Sequence, residues 1–109
     1  MQQQLMNIVQ GDFGFFWKFT LTDAQGVVVD ISNADLFFEA QLVSDLAVQF
    51  RNPMAVISPT AGTCKYTVLD TDFVVPGTYQ GQIVVEYNAG EIITFSGITI
   101  EVEPSLPVA

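Results

Sequence analysis

The sequence predicts an all-β fold, a single Ig-like antiparallel β-sandwich of about eight short strands. Three observations predict it. Apolar residues recur with period two, and no stretch sustains the i, i+3, i+4, i+7 spacing of an amphipathic helix. Turn-forming residues punctuate the chain at short, regular intervals. The composition is 50% hydrophobic and only 14% charged, with nine phenylalanines, three tyrosines and one tryptophan. That mixture suits half-buried pleated surfaces and is the opposite of a disordered chain. At 109 residues the chain fills one two-layer core and not two.

Taken in order, the N-terminal MQQQLMNIVQ has neither the basic start nor the sustained apolar stretch of an export signal, and no run approaches a membrane span. The expectation is a soluble protein made without a standard signal. In FFWKFTL, Phe15, Trp17, Phe19 and Leu21 share one face, opposite Phe16, Lys18 and Thr20. In LFFEAQLV, Leu36, Phe38, Ala40 and Leu42 oppose Phe37, Glu39, Gln41 and Val43. Leu46, Val48 and Phe50 then alternate with Gln49 and Arg51, Tyr66 and Val68 with Lys65 and Thr67, and Ile98, Ile100 and Val102 with Thr99, Glu101 and Glu103.

Between these runs, turns are expected at DAQG (23–26), SNAD (32–35), SD (44–45), RNP (51–53), PTAG (59–62), PG (76–77) and NAG (88–90). The clearest hairpin is VVEYNAGEIITF, with Asn88 and Gly90 available for positive φ in a three-residue connection. EPSLPVA carries two prolines, which cannot donate to a ladder, so the last strand stops near Glu103. The domain therefore spans residues 1–104 and residues 105–109 form a short tail. Its Leu106 and Val108 read as a frayed end in preference to a docking arm.

Charge and chemistry narrow the function. Three basic residues against twelve acidic ones leave a net charge of -9. Such a chain repels phosphate backbones and anionic lipid, so neither nucleic acid nor a membrane is an expected partner. The chain has no histidine, which rules out Ser-His and Cys-His nucleophilic mechanisms and the commonest zinc ligand. Cys64 is the sole cysteine, so it forms no intrachain disulfide, and it reads as a small core residue. No phosphate-binding glycine loop, calcium loop or zinc spacing occurs. No cofactor and no small-molecule substrate are expected.

What remains is the acidic stretch DTDFVVPGTY, Asp70 to Tyr79. Two carboxylates in one turn do not supply the several oxygens a calcium ion needs. They do suit an Asx cap that ties down a turn. Tyr79, after Pro76 and Gly77, is placed like the corner tyrosine of Ig-like sandwiches, whose hydroxyl bonds backbone a few residues upstream. Two residues on, where antibody domains carry a cysteine, stands Gly81. Asp70, Asp72 and Tyr79 are thus the expected structural corner, and Phe16, Phe37 and Val43, apolar residues on the second faces of their strands, are candidate assembly residues. A different class of function, a carbohydrate-binding or adhesive module, would use aromatics such as Tyr87 or Phe95. A carboxylate hydrolase acting through Asp72 ranks last.

Three segments together resemble the N-terminal domain of phage upper baseplate proteins and related small Ig-like virion proteins of tailed phages. They are FTLTDAQGVVVDISNADLFFEA, with Gly26, Asp30-Ile31-Ser32 and Ala34; AGTCKYTVLDTDFVVPGTYQGQIVVEY, with Gly62, Tyr66, Asp70-Thr71, Gly77 and Tyr79; and AGEIITF, with Thr94-Phe95. They cover most of the chain from Phe13 to about Val102. The resemblance implies a β-sandwich with a structural, non-enzymatic role, carries no catalytic residues, and places the protein in the virion after synthesis in the host cytoplasm. Other virion proteins and copies of itself are the implied partners. In the large baseplate proteins further domains follow, whereas this sequence stops at Ala109. The expectation is therefore a free-standing part: a head decoration, neck, tail or baseplate accessory subunit.

Overall fold

The computed structural model describes residues 4–105. Eight strands form two sheets: β1 (Gln4–Val9), β2 (Phe16–Thr20), β3 (Ala34–Leu42), β4 (Gln49–Pro53), β5 (Ala55–Ser58), β6 (Thr63–Thr67), β7 (Gly77–Tyr87) and β8 (Ile92–Glu103). The larger sheet has the order β1-β8-β7-β3-β4 and the smaller β2-β6-β5. The all-β sandwich expected from alternation is the fold observed, and β8 ends at Glu103, where the proline-rich segment begins. Leu106 and Val108 lie outside the described residues.

One pairing departs from the antiparallel expectation. β1 runs parallel to β8, from Gln4 opposite Ile98 to Val9 opposite Glu103. Its short alternation, Met6 and Ile8 inward with Leu5 and Val9 outward, marks no neighbour by itself. The other strand pairs are antiparallel.

The core forms where the inner faces meet. Phe38 on β3 stacks on Tyr66 on β6 with ring centroids 4.6 Å apart, joining the two sheets. Phe19, Leu21, Phe73, Tyr79, Ile83, Ile98 and Ile100 are buried around them. Trp17 lies 5.9 Å from Phe73 and 6.0 Å from Phe38, as a packing residue. Cys64 is buried in the same core, and burial pushes its thiol up to about 11. Gly81 is required by close packing: a Cβ there would lie 3.1 Å from Ile100 Cδ1 and 3.2 Å from Phe38 Cζ. The position that holds a cysteine in antibody domains is thus occupied by neighbouring core side chains.

Most expected turns are where the residues place them. Asp23 Oδ1 accepts from the backbone N–H of Gln25 and Val27, both at 2.9 Å, closing the DAQG turn. Tyr87 N–H donates to Glu91 carbonyl at 2.8 Å, so residues 88–90 form a three-residue hairpin loop. Gly90 supplies the positive φ, at 102°, while Asn88 does not.

Two expectations fail. Arg51–Pro53 is the end of β4, not a turn: β4 is an edge strand, where a proline costs no ladder bond. The chain then crosses to the smaller sheet at Met54, whose N–H donates to Leu36 carbonyl at 2.8 Å. Leu46 is 61% exposed in the loop before β4, because the Ser44-Asp45 turn keeps the chain out of the sheet until Gln49.

Candidate functional site

The most organised polar group in the molecule lies at the acidic stretch singled out by sequence. The loop between β6 and β7 carries the chain from the smaller sheet to the larger. Within it Asp70 is exposed, whereas Asp72 is 4% exposed. Asp72 Oδ2 accepts from the Tyr66 hydroxyl and, at 2.9 Å, from Leu69 N–H. Its Oδ1 accepts from Asn52 Nδ2 at 2.9 Å, and the same amide donates to the Tyr66 hydroxyl at 3.0 Å. One carboxylate therefore joins β4, β6 and the β6–β7 loop. Burial, reinforced by the Asp72 carboxylate, raises the Tyr66 phenol well above the usual tyrosine range, so it remains a donor at neutral pH.

Farther along the loop, the Tyr79 hydroxyl donates to Val75 carbonyl at 2.8 Å, and burial also raises this phenol. Its ring meets Phe73 edge-on at 5.1 Å. The β1–β2 connection is laced to the same loop: Gly11 N–H donates to Phe73 carbonyl at 3.1 Å and Gly14 N–H to Val68 carbonyl at 2.9 Å.

Chemically this is a closed site. Asp72 uses both oxygens on protein donors, and among the described residues no group of three or more His, Cys, Asp or Glu side chains is placed to hold a metal. Asn52 and Tyr66 were not legible as its partners, since one sits in a predicted turn and the other in an ordinary alternating strand. A strand-borne Tyr six residues before an Asp in the following loop is a weak signal without the fold.

A second polar group occupies the outer face of the larger sheet. Arg51 Nη1 pairs with Glu39 at 2.7 Å, its Nη2 pairs with Glu86, and its guanidinium lies 4.1 Å from the centre of the Phe37 ring. Beside it, Gln41, Gln49, Gln80, Gln82 and Ser96 line an open groove of about 630 Å³. The groove forms where the β7–β8 register shifts between Gly81 and Ile83. It offers amide donors and acceptors, and its one carboxylate, Glu39, is held by Arg51 and by Gln82 at 2.6 Å.

The sequence profile of the BppU N-terminal domain matches residues 2–109. The chain belongs to this family. The family is that of the phage baseplate upper protein, a structural component of the baseplate. Among solved structures, CopC from Methylosinus trichosporium OB3b is similar at 10% identity, with a TM-score of 0.52 over 98% of this chain and 91% of that one. That likeness concerns the fold alone. No curated protein matches the chain.

For a BppU N-terminal domain the outward surfaces matter most, and the candidate assembly residues do not share one. Phe16 is 54% exposed on β2, on the outer face of the smaller sheet, with Lys65 Nζ 4.9 Å from its ring centre. Phe37 is half-buried under Arg51 on the outer face of the larger sheet, and Val43 is exposed just beyond β3. These faces belong to opposite layers and point away from each other, so no single partner surface covers all three. The aromatics named for a glycan platform are also placed otherwise. Phe95 is buried, and Tyr87 is half-buried with its hydroxyl donating to Asp30 carbonyl at 2.7 Å.

Proposed function

We propose that this chain is a non-enzymatic structural subunit of a tailed-phage virion, located in the baseplate and acting through protein–protein contacts with other virion proteins and with copies of itself. The family match over residues 2–109 carries this reading. It favours the baseplate over the head or neck. The structure is in keeping with it: the buried Asp72–Asn52–Tyr66 group is consumed in holding the sandwich together, while both sheets present outer faces and edge strands, β1 and β4 in one and β2 and β5 in the other.

Edge strands present unpaired backbone donors and acceptors, and β5 also exposes Val56 and Ile57. Such edges add strands from a neighbour, while outward side chains choose which neighbour fits. The direct test is mass spectrometry of purified virions combined with immunogold labelling. The protein is expected in stoichiometric amounts with label at the distal end of the tail; its absence from virions, or label confined to the head, overturns the reading.

A further inference from the structure

The three basic residues of this strongly acidic chain are distributed unevenly. Arg51 is bracketed by Glu39 and Glu86. Lys18 and Lys65 sit directly opposite each other on β2 and β6, on the outer face of the smaller sheet. Like charges in that relation repel, and neither lysine has a salt bridge among the described residues. No Asp or Glu occurs on β2, β5 or β6, although the chain has twelve. Exposed Phe16 lies beside the pair. The smaller sheet thus presents a cationic and apolar face with no counter-charge of its own.

The larger sheet presents the complement. Asp35 on β3 is opposite Glu86 on β7, which is opposite Ile92 on β8, so the three form a row across the outer face. Glu39 and Glu86 share the single Arg51 guanidinium, and Asp35 stands opposite Glu86 with no salt bridge among the described residues, so the patch is anionic, and Ile92 is 65% exposed beside it. Each face has what the other lacks: ammonium against carboxylate, and an exposed apolar side chain next to each.

We propose that the chain binds a second copy of itself head-to-tail, the Lys18–Lys65–Phe16 face of one copy seated on the Asp35–Glu86–Ile92 row of the next. This rests on the assembly role given above. The two faces lie on opposite layers of one sandwich, so the contact is heterologous and a docked pair keeps one free face of each kind, one on each copy; successive copies close into a ring or extend as a stack. Although the net charge of -9 makes copies repel at a distance, the Debye length is about 8 Å at physiological salt, so the local complementarity governs the docked contact.

Sedimentation velocity of the purified chain over a wide concentration range tests this. Wild type is expected to self-associate, and the double variant Lys18→Glu, Lys65→Glu to do so about tenfold more weakly or not at all. A second double variant, Asp35→Lys, Ile92→Lys, leaves the Glu86–Arg51 pair in place and is also expected to lose association. Mixing the two variants is expected to restore assembly, because each face again meets its opposite; circular dichroism confirms that both are folded. Wild type that stays monomeric, a lysine variant that associates as wild type does, or a mixture that stays monomeric overturns the proposal. A monomer that is nevertheless found in virions leaves the baseplate reading standing, and an associating protein absent from virions removes that reading alone.

Discussion

Arg51 and Asn52 are neighbours on β4, and because side chains alternate across a strand they enter two different polar clusters. Arg51 points outward to Glu39, Glu86 and the Phe37 ring, where water competes for every contact. Asn52 points inward to Asp72 and Tyr66, where it does not. The outer cluster has the more formal charges and the inner one the larger hold on stability. An ion pair at the surface gives up hydration for little gain, whereas a buried group left without its partner bears its whole desolvation cost.

The sharpest way to break that contrast is Asp72→Ala, which leaves the Tyr66 hydroxyl, the Asn52 amide and Leu69 N–H without their acceptor. Urea denaturation should show a loss of roughly 3 kcal/mol or more. A loss below about 1 kcal/mol would mean that the inner cluster is no stronger than the outer.

Alkaline titration probes the interior next. Burial raises the Cys64 thiol to about 11 and raises the phenols of Tyr66 and Tyr79, so each binds its proton more tightly folded than unfolded. Stability is complete below the unfolded values and falls as pH rises through the folded ones. For Cys64 the fall should total roughly 2–3 kcal/mol between about pH 9 and 11. Melting temperatures of Cys64→Ala against pH should lack this first part of the decline; an unchanged pH profile would contradict it.

Smaller still is Tyr79→Phe, which removes the hydroxyl from Val75 carbonyl and keeps the ring on Phe73. It should lower stability by about 1 kcal/mol, read as a shift of several degrees in the melting curve. An unchanged melting temperature removes the corner role we propose for this residue. The least effect is expected from Arg51→Ala, below about 1 kcal/mol, diminishing with added salt as an exposed pair should. If Arg51→Ala proves as costly as Asp72→Ala, burial is not what separates the two clusters.

A distinction between local and long-range contacts governs what is legible in the sequence. Period-two alternation placed Phe19, Leu21, Leu36, Phe38, Ala40 and Tyr66 on inward faces, since that depends only on which side of the pleat a residue occupies. Turn chemistry placed the loops at Asp23–Gly26 and Asn88–Gly90, because those bonds close within a few residues. Turn chemistry failed at Arg51–Pro53, where a turn-like tripeptide finishes an edge strand, and alternation failed at Leu46, which the loop after the Ser44-Asp45 turn leaves exposed. Of the acidic corner, alternation and spacing could name Asp70, Asp72 and Tyr79 but could not tell which carboxylate would be buried.

Sequence by itself therefore determined the class of fold, the inward residues of its longer strands and the absence of histidine chemistry, all consequences of local pattern and residue type. Tertiary structure alone decided that β1 runs parallel to β8, that Asn52 and Tyr66 meet Asp72, and that Phe16 and Phe37 face away from each other. Those facts depend on which strands share a sheet. Alternation fixes the side of a strand on which a residue lies and is silent about the neighbour on either edge, so contacts between distant segments appear only when both layers are assembled.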